Sequence, residues 1–432
     1  MQSRIINPKE LVKKNPILQT IDLGLCVDCK AVKKLCGLAR CPLIDALDVY
    51  PDQNDYQKIS GNTVFGPSPQ VFVGSQGYPR VNAGPLTSIL ERPDLASRAA
   101  NPEQWVDLDL KEIISLRYGM VRGKKNIYIR PDKYQERLYE QMQQLTMSIK
   151  PVDVESLFST TPRLSSTFDI ETQPMGPSGS LAKLDIASNP KIPKRVDYIL
   201  GDELKAVDQI NSLYDDGYNI SYLQNILSAG LTGTKKDKKI VPTRWSITAT
   251  DDMIGKELIR SLKDLPSINQ IELREGNLLG NEYHVILMPG HWSFENFETW
   301  ISGGIFTIGA RDWNMSYCSE GFELKEYYKG RSSYASQAGG YYATRLAILE
   351  HLTQRSREAK VLVIREITPD YVVPVGVWQV REGVRKTMRT NPITFNSKSE
   401  LINYLNDQLH VNTIQYTQRA TSFLQSSLDE FF

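Results

Sequence analysis

Four cysteines, Cys26, Cys29, Cys36 and Cys41, stand within 16 residues as C-x2-C-x6-C-x4-C in CVDCKAVKKLCGLARC. Four thiolates this close in sequence can close one tetrahedron, which is what a structural zinc requires. A secreted disulfide framework spreads its pairs across loops, so the clustering points to metal, while the fifth cysteine, Cys318, stands alone. Lys30, Lys33, Lys34 and Arg40 lie inside the cluster, where they offset thiolate charge and are placed to touch phosphate. An iron-sulfur cluster is the alternative, because Pro42 follows Cys41 as in ferredoxin-like runs, although the internal spacings differ from theirs.

The second chemically dense stretch is KKDKKIVPTRWSITATDD. Lys235, Lys236, Lys238, Lys239 and Arg244 make a local positive patch beside Trp245, and cations next to a flat aromatic suit single-stranded or distorted DNA. The plainer reading is a solvated lysine turn with a core tryptophan. Asp251 and Asp252 follow at an expected helix start, where Thr250 or Asp251 is the natural cap. Joined by Glu295 or Glu298 they would hold a divalent ion for phosphodiester hydrolysis. Against this, adjacent helical residues point about 100° apart, so one ion sees one of the pair directly.

Of the four histidines, His291 in PGHWSFENFETW lies by an expected turn near Glu295 and is the acid-base candidate. His284, in the strand-like YHVILM, reads as a packed residue. A metal-free alternative draws on Tyr334, from SSYASQAGGYYATR, and Glu382, from VWQVREGVR, with Glu382 facing the developing cation of glycosidic cleavage. Its rival is a helix surface and a strand edge salt-bridged through Arg381, Glu382 and Arg385. No HExxH, GxSxG, P-loop lysine or dinucleotide fingerprint occurs, so these motifs leave open whether the chain is an enzyme.

Gln425, Leu428, Phe431 and Phe432 in QSSLDEFF fit Q-x-x-L-x-x-F-F residue for residue. One turn of tight helix aligns Leu428 with the two rings as a compact apolar plug, and Gln425 flanks it. The pattern resembles the motif by which replication and repair proteins dock on the sliding clamp, PCNA. Such segments order on contact and bind through a few anchors. The alternative is a helix whose Phe423, Leu424, Leu428 and Phe431 pack on the body.

At 432 residues the chain exceeds what one core usually organises. With 41% hydrophobic and 23% charged residues and a formal net charge of +1, its composition is that of a globular protein, so a nucleic-acid surface must be local. Apolar runs such as Val361 to Ile364 are too short to span a membrane, and the first residues lack a signal-peptide core; a cytoplasmic location is expected.

Elements alternate as an α+β chain of mixed sheet. The expected domains are 1–56, a four-cysteine zinc module with basic surroundings; 57–160, a Gly/Pro-rich lobe; 161–410, an α+β lobe; and 411–432, a tail that is flexible. Helices are expected in Pro102 to Tyr118, in Pro131 to Ile149, and in two tracts closing on Gly217 and Gly230. The Ser/Thr/Pro/Gly-rich stretch from Val152 to about Pro193 reads as loop. Strands are expected in VFV, RVNA, the segment before TDD, IELREG, NEYHVILMPG, GIFTIGARDW, AKVLVIREI and VPVGVWQVRE.

Five longer strings, VFVGSQGYPRVNAGPL, MGPSGSLAKLDIASNPKIPKRV, LSAGLTGTKKDKKIVPTRWSITATDDMIGKEL, MPGHWSFENFETW and YVVPVGVWQVREGVR, resemble the archaeal Nre family of DNA repair proteins. The resemblance reaches from about Cys26 to the end of the sequence. It implies a repair role together with PCNA, carried by Gln425, Leu428, Phe431 and Phe432, and it supplies no reaction.

Overall fold

A computed structural model describes residues 12–29, 35–38, 42, 59, 61–90, 92–130, 136–163, 176–304, 307 and 312–424. The chain forms two compact units, Asp48–Ile254 and a composite of Met1–Leu47 with Gly255–Phe432. The architecture is α+β, as expected, with helices around two six-stranded mixed sheets.

The Asp48–Ile254 unit is built on strands β1 (Thr63–Ser68), β2 (Gln70–Val73), β3 (Arg80–Ser88), β4 (Met120–Tyr128), β5 (Val152–Phe158) and β6 (Ser178–Ile186). Their order is β1-β5-β6-β4-β3-β2, antiparallel except for the parallel β4–β6 pair. Expected helices appear where the caps dictate. Asp109 accepts from the Glu112 amide at 2.8 Å while Glu112 accepts from the Asp109 amide at 2.9 Å, a reciprocal box that starts the Leu110–Tyr118 helix. Gly217 and Gly230 follow helices Ala206–Asp215 and Ile220–Ser228 with φ of 87° and 71°, a conformation glycine adopts without steric cost.

Two expectations fail in this unit. The stretch read as loop contains β5 and β6, which pair with each other; cross-strand pairing outweighs the turn-rich composition. The segment before TDD, expected to be a strand, belongs to a helix, Thr243–Leu262. Its first turn is set by Pro242, whose carbonyl accepts from the amides of Trp245 and Ser246 at 2.8 and 3.0 Å, and by Thr243 Oγ1, which accepts from the Val73 amide at 3.0 Å. These contacts override the β-branched run, and Thr250, Asp251 and Asp252 therefore lie inside the helix rather than at its cap.

The composite unit carries β7 (Ile271–Leu278), β8 (Asn281–Met288), β9 (Ser293–Ile301), β10 (Trp313–Glu320), β11 (Lys360–Ile367) and β12 (Ile393–Phe395), in the order β10-β9-β11-β8-β7-β12. Only β9 and β11 run parallel. Strand alternation separates two faces. Leu273, Ile286, Leu362 and Phe297 point to one face and form a core with Leu401, Leu405, Val411 and Tyr416 from the C-terminal helices. The opposite face bears Tyr283, Arg365 and Glu298 in one rung across β8, β11 and β9, and it packs under helices Gly339–Arg355 and Trp378–Met388. Gly383 lets the second helix approach: a Cβ there would sit 2.5 Å from the Tyr283 ring.

VPVGVWQVRE, expected to be a strand, contributes to that second helix, because its apolar residues serve burial at helical spacing. In GIFTIGARDW, residues 305, 306 and 308–311 lie outside the described residues, and the pairing element, β10, begins at its last residue, Trp313.

Candidate functional site

In the Asp48–Ile254 unit the lysine turn is closed by Thr234 and Asp237, whose side chains bond at 2.8 Å. Lys235, Lys236, Lys239 and Arg244 are exposed. Lys238 is not equivalent to them: its Nζ donates to the Leu200 carbonyl at 2.9 Å, and burial lowers its pKa. It caps the Lys194–Gly201 helix, so it serves the fold, and four cations of the five face solvent. Lys235 pairs with Glu203 at 3.8 Å, with both side chains largely exposed, a contact of little energy.

Trp245 is 45% exposed and so is not a core tryptophan. Its ring lies 4.9 Å from that of Tyr78, itself 42% exposed, at an interplanar angle of 52°. The positions are fixed from below. The Ile129 amide donates to the Pro79 carbonyl at 3.0 Å, and the Ile240 amide donates to the Ile129 carbonyl at 2.9 Å, which ties the lysine turn to the end of β4. Arg80 and Tyr128 are cross-strand partners, both exposed, and Arg130 is exposed beyond them. The surface therefore offers cations and aromatic faces together, the combination that holds a nucleic-acid strand by phosphate and base.

The residues proposed for catalysis fall in both units. Asp251 and Asp252 belong to the Asp48–Ile254 unit and His291, Glu295, Tyr334 and Glu382 to the composite one. Asp251 is buried and accepts from Gln224 Nε2 at 3.2 Å. His291 holds Glu358 through Nδ1 at 2.6 Å, with its side chain 82% exposed. Tyr334 is exposed and packs on the Tyr342 ring at 5.3 Å. Glu382 is buried and accepts from Arg385 Nη1 at 2.7 Å, while Arg385 also clasps Glu350 through two bonds of 2.8 and 2.6 Å. These are the expected salt-bridged residues, on a helix.

Glu295 has a different task. It is fully buried, and its Oε1 accepts from the Tyr317 hydroxyl at 2.6 Å and the Thr421 amide at 2.6 Å. Its Oε2 accepts from the Ser422 amide at 3.0 Å. The carboxylate thus satisfies the exposed amides of the short Thr421–Leu424 helix. Glu366 acts in parallel, accepting from the amides of His410 and Val411 and from the Tyr416 hydroxyl at 2.8, 3.1 and 2.7 Å. Phe423 then packs on the core while Leu424 is 64% exposed. Gln425, Leu428, Phe431 and Phe432 lie outside the described residues.

Sequence reading missed these two buried anchors, and also the pairing of Arg345 with Glu320 at 3.0 Å and of Arg365 with Glu298 at 3.0 Å. The available signal was a charged residue at an inward position of an otherwise apolar strand. Cys26 and Cys29 are buried on the Leu25–Cys29 helix and Cys36 is half-buried; none of these three forms a disulfide, and Cys41 lies outside the described residues. Among the described residues no helix is long and apolar enough to cross a membrane.

No solved structure matches this chain. Sequence comparison matches residues 35–307 to the archaeal Nre N-terminal region and residues 326–431 to the archaeal Nre C-terminal region. The DNA repair protein NreA of Archaeoglobus fulgidus is 36% identical over 407 residues, covering 94% of this chain and 98% of that one. NreB of the same organism, also a DNA repair protein, is 31% identical over 401 residues, 92% and 96% of the two chains. The DNA repair protein NreA of Haloferax volcanii is 31% identical over 404 residues, 90% and 93% of the two chains. On matches that span nearly its whole length, the chain belongs to the archaeal Nre family.

Proposed function

We propose that this protein acts in DNA repair, recruited through its C-terminal octapeptide to the PCNA sliding clamp and contacting DNA with the exposed surface around Trp245. The observation that carries the recruitment reading is the anchor at Glu295. A buried carboxylate fixes the backbone at Thr421 and Ser422, Phe423 packs on the core, and Leu424, directly before Gln425, is exposed. Phe423 supplies an apolar contact to the core ahead of the motif, and Leu428, Phe431 and Phe432 keep the spacing of a docking plug. The DNA reading rests on the tilted Tyr78–Trp245 pair among Arg80, Lys239 and Arg244, and on relatives that are DNA repair proteins.

Cys26, Cys29, Cys36 and Cys41 form a structural zinc site in this reading. Cys26 and Cys29 are spaced to share one face of a helical turn, and both are buried although neighbouring Leu25 and Leu35 are exposed. The protein is cytoplasmic.

Replacing Phe431 and Phe432 with alanine is expected to abolish capture by immobilised PCNA with no change in melting temperature. A large drop in melting temperature together with retained capture would show that the two rings serve the fold instead. Trp245→Ala is expected to weaken binding of single-stranded DNA by about 1–3 kcal/mol while leaving clamp capture intact.

A further inference from the structure

His284, expected to be a packed residue, is only 6% exposed, yet its Nε2 is buried without a hydrogen-bond partner. Its Nδ1 is engaged by Glu275 Oε1 at 2.9 Å, and Glu275 in turn accepts from the Tyr404 hydroxyl at 2.9 Å. A carboxylate on Nδ1 fixes the ring in the tautomer that protonates Nδ1 and leaves a lone pair on Nε2. A buried lone pair with nothing to accept from is costly.

What surrounds the ring answers that cost. Glu282 precedes His284 by two positions on β8, on the same face, and Glu366 is the cross-strand partner of Glu282 on β11. Ligand atoms of Glu282, His284 and Glu366 lie within 4.8 Å of one another, and among the described residues this is the one such group of three. Two donors about 2.1 Å from a common ion are separated by at most about 4.2 Å, so a cation shared by the three would draw these side chains together by a few tenths of an ångström from the 4.8 Å bound. Glu366 Oε2 accepts the His410 amide, one bond to an oxygen that has two lone pairs. Glu282 is half-exposed and holds His410 Nε2 at 3.0 Å, so the cluster opens toward solvent on that side.

We infer that Glu282, His284 and Glu366 form a binding site for a divalent first-row transition cation, with Glu275 and Tyr404 as its outer shell. One imidazole nitrogen with two carboxylates suits Mn2+, Fe2+ or Zn2+ better than the all-oxygen sets of Mg2+ and Ca2+. The ion neutralises two facing carboxylates and fastens β8 to β11 at the residue that holds His410 and Val411. The site is independent of the four-cysteine segment and of the clamp and DNA readings.

The test titrates Mn2+ into chelator-treated full-length protein and follows the electron paramagnetic resonance signal of free Mn2+. Thiolates favour softer metals, so the four cysteines compete weakly. Uptake of one equivalent is expected in the wild type and in a Glu155→Gln control. Glu282→Gln should weaken uptake roughly tenfold or more, and His284→Gln should abolish it. Glu282 lies at the exposed edge, so its variant carries the test if His284→Gln fails to fold, with circular dichroism confirming its structure. Equal Mn2+ uptake by the wild type and a folded Glu282→Gln would overturn the site. So would a wild type that leaves millimolar Mn2+ and Zn2+ free at this cluster, which would mean that a proton on Nε2 satisfies it.

Discussion

On one face of the β7–β12 sheet, Glu320, Glu298 and Glu272 are held by guanidinium groups, with Arg345 at 3.0 Å, Arg365 at 3.0 Å and Arg355 at 2.7 Å. On the other, Glu295 and Glu366 are held by backbone amides and tyrosine hydroxyls. Both arrangements answer the same desolvation cost. The guanidinium pairs bring a second buried charge that must itself be satisfied, so each partner depends on the other. The amide-held carboxylates are held without a guanidinium and instead fix a stretch of main chain, which makes them position markers for the C-terminal segment.

That contrast is open to direct attack. The largest effect is expected at the fully buried Arg345, where Arg345→Ala strands the Glu320 carboxylate and should cost about 3–5 kcal/mol in urea unfolding. An apolar double replacement, Arg345→Met with Glu320→Leu, should recover most of that loss; failure to recover it would mean that Arg345 does more than balance charge. On the opposite face, Glu295→Ala leaves two amides and the Tyr317 hydroxyl without their acceptor and should cost about 2–4 kcal/mol, whereas Tyr317→Phe should cost about 1 kcal/mol. Raised hydrogen exchange in Glu295→Ala, confined to the amides after Ala420, is the accompanying sign of a released segment.

A separate effect is one of pH. Burial, together with Arg274 and Arg355, lowers the His351 pKa from 6.5 to about 4. The unfolded chain then takes up a proton that the folded chain refuses, so stability should fall as pH drops from 6.5 toward 4. His351→Gln should flatten the stability curve in that window alone. Glu272 adds a second loss at lower pH. Burial alone would raise its pKa, but the hydrogen bond and charge of Arg355, with Arg274, outweigh this and hold it below 4.5. Its stabilisation is present above 4.5 and fades as pH falls through the depressed value. An unchanged curve in His351→Gln would assign the acid sensitivity to carboxylates instead.

The sequence made the mixed α+β character legible because β8 and β11 carry continuous apolar runs and because Gly217 and Gly230 mark helix ends. It hid β9 and β10, where Glu295, Asn296, Glu298 and Ser316 interrupt the apolar pattern with residues whose partners come from distant segments. It misplaced the start of the Thr243–Leu262 helix because a β-branched run is read locally as strand, while the deciding bonds to Val73 and Ser228 are long-range. The exposed Trp245 beside a cationic turn was visible in order of residues alone. Its companion Tyr78, far upstream, was not, because a ring pair assembled by a sheet leaves no spacing to read.

The clasp on Thr421 and Ser422 also sets a leash length. Five residues lie between Ser422 and Leu428, and the six residue steps cover about 20 Å at most when fully extended. In the recruitment proposed above, the clamp pocket that captures Leu428 must therefore lie within about that radius of Ser422, which limits how far the clamp can stand from the clasp.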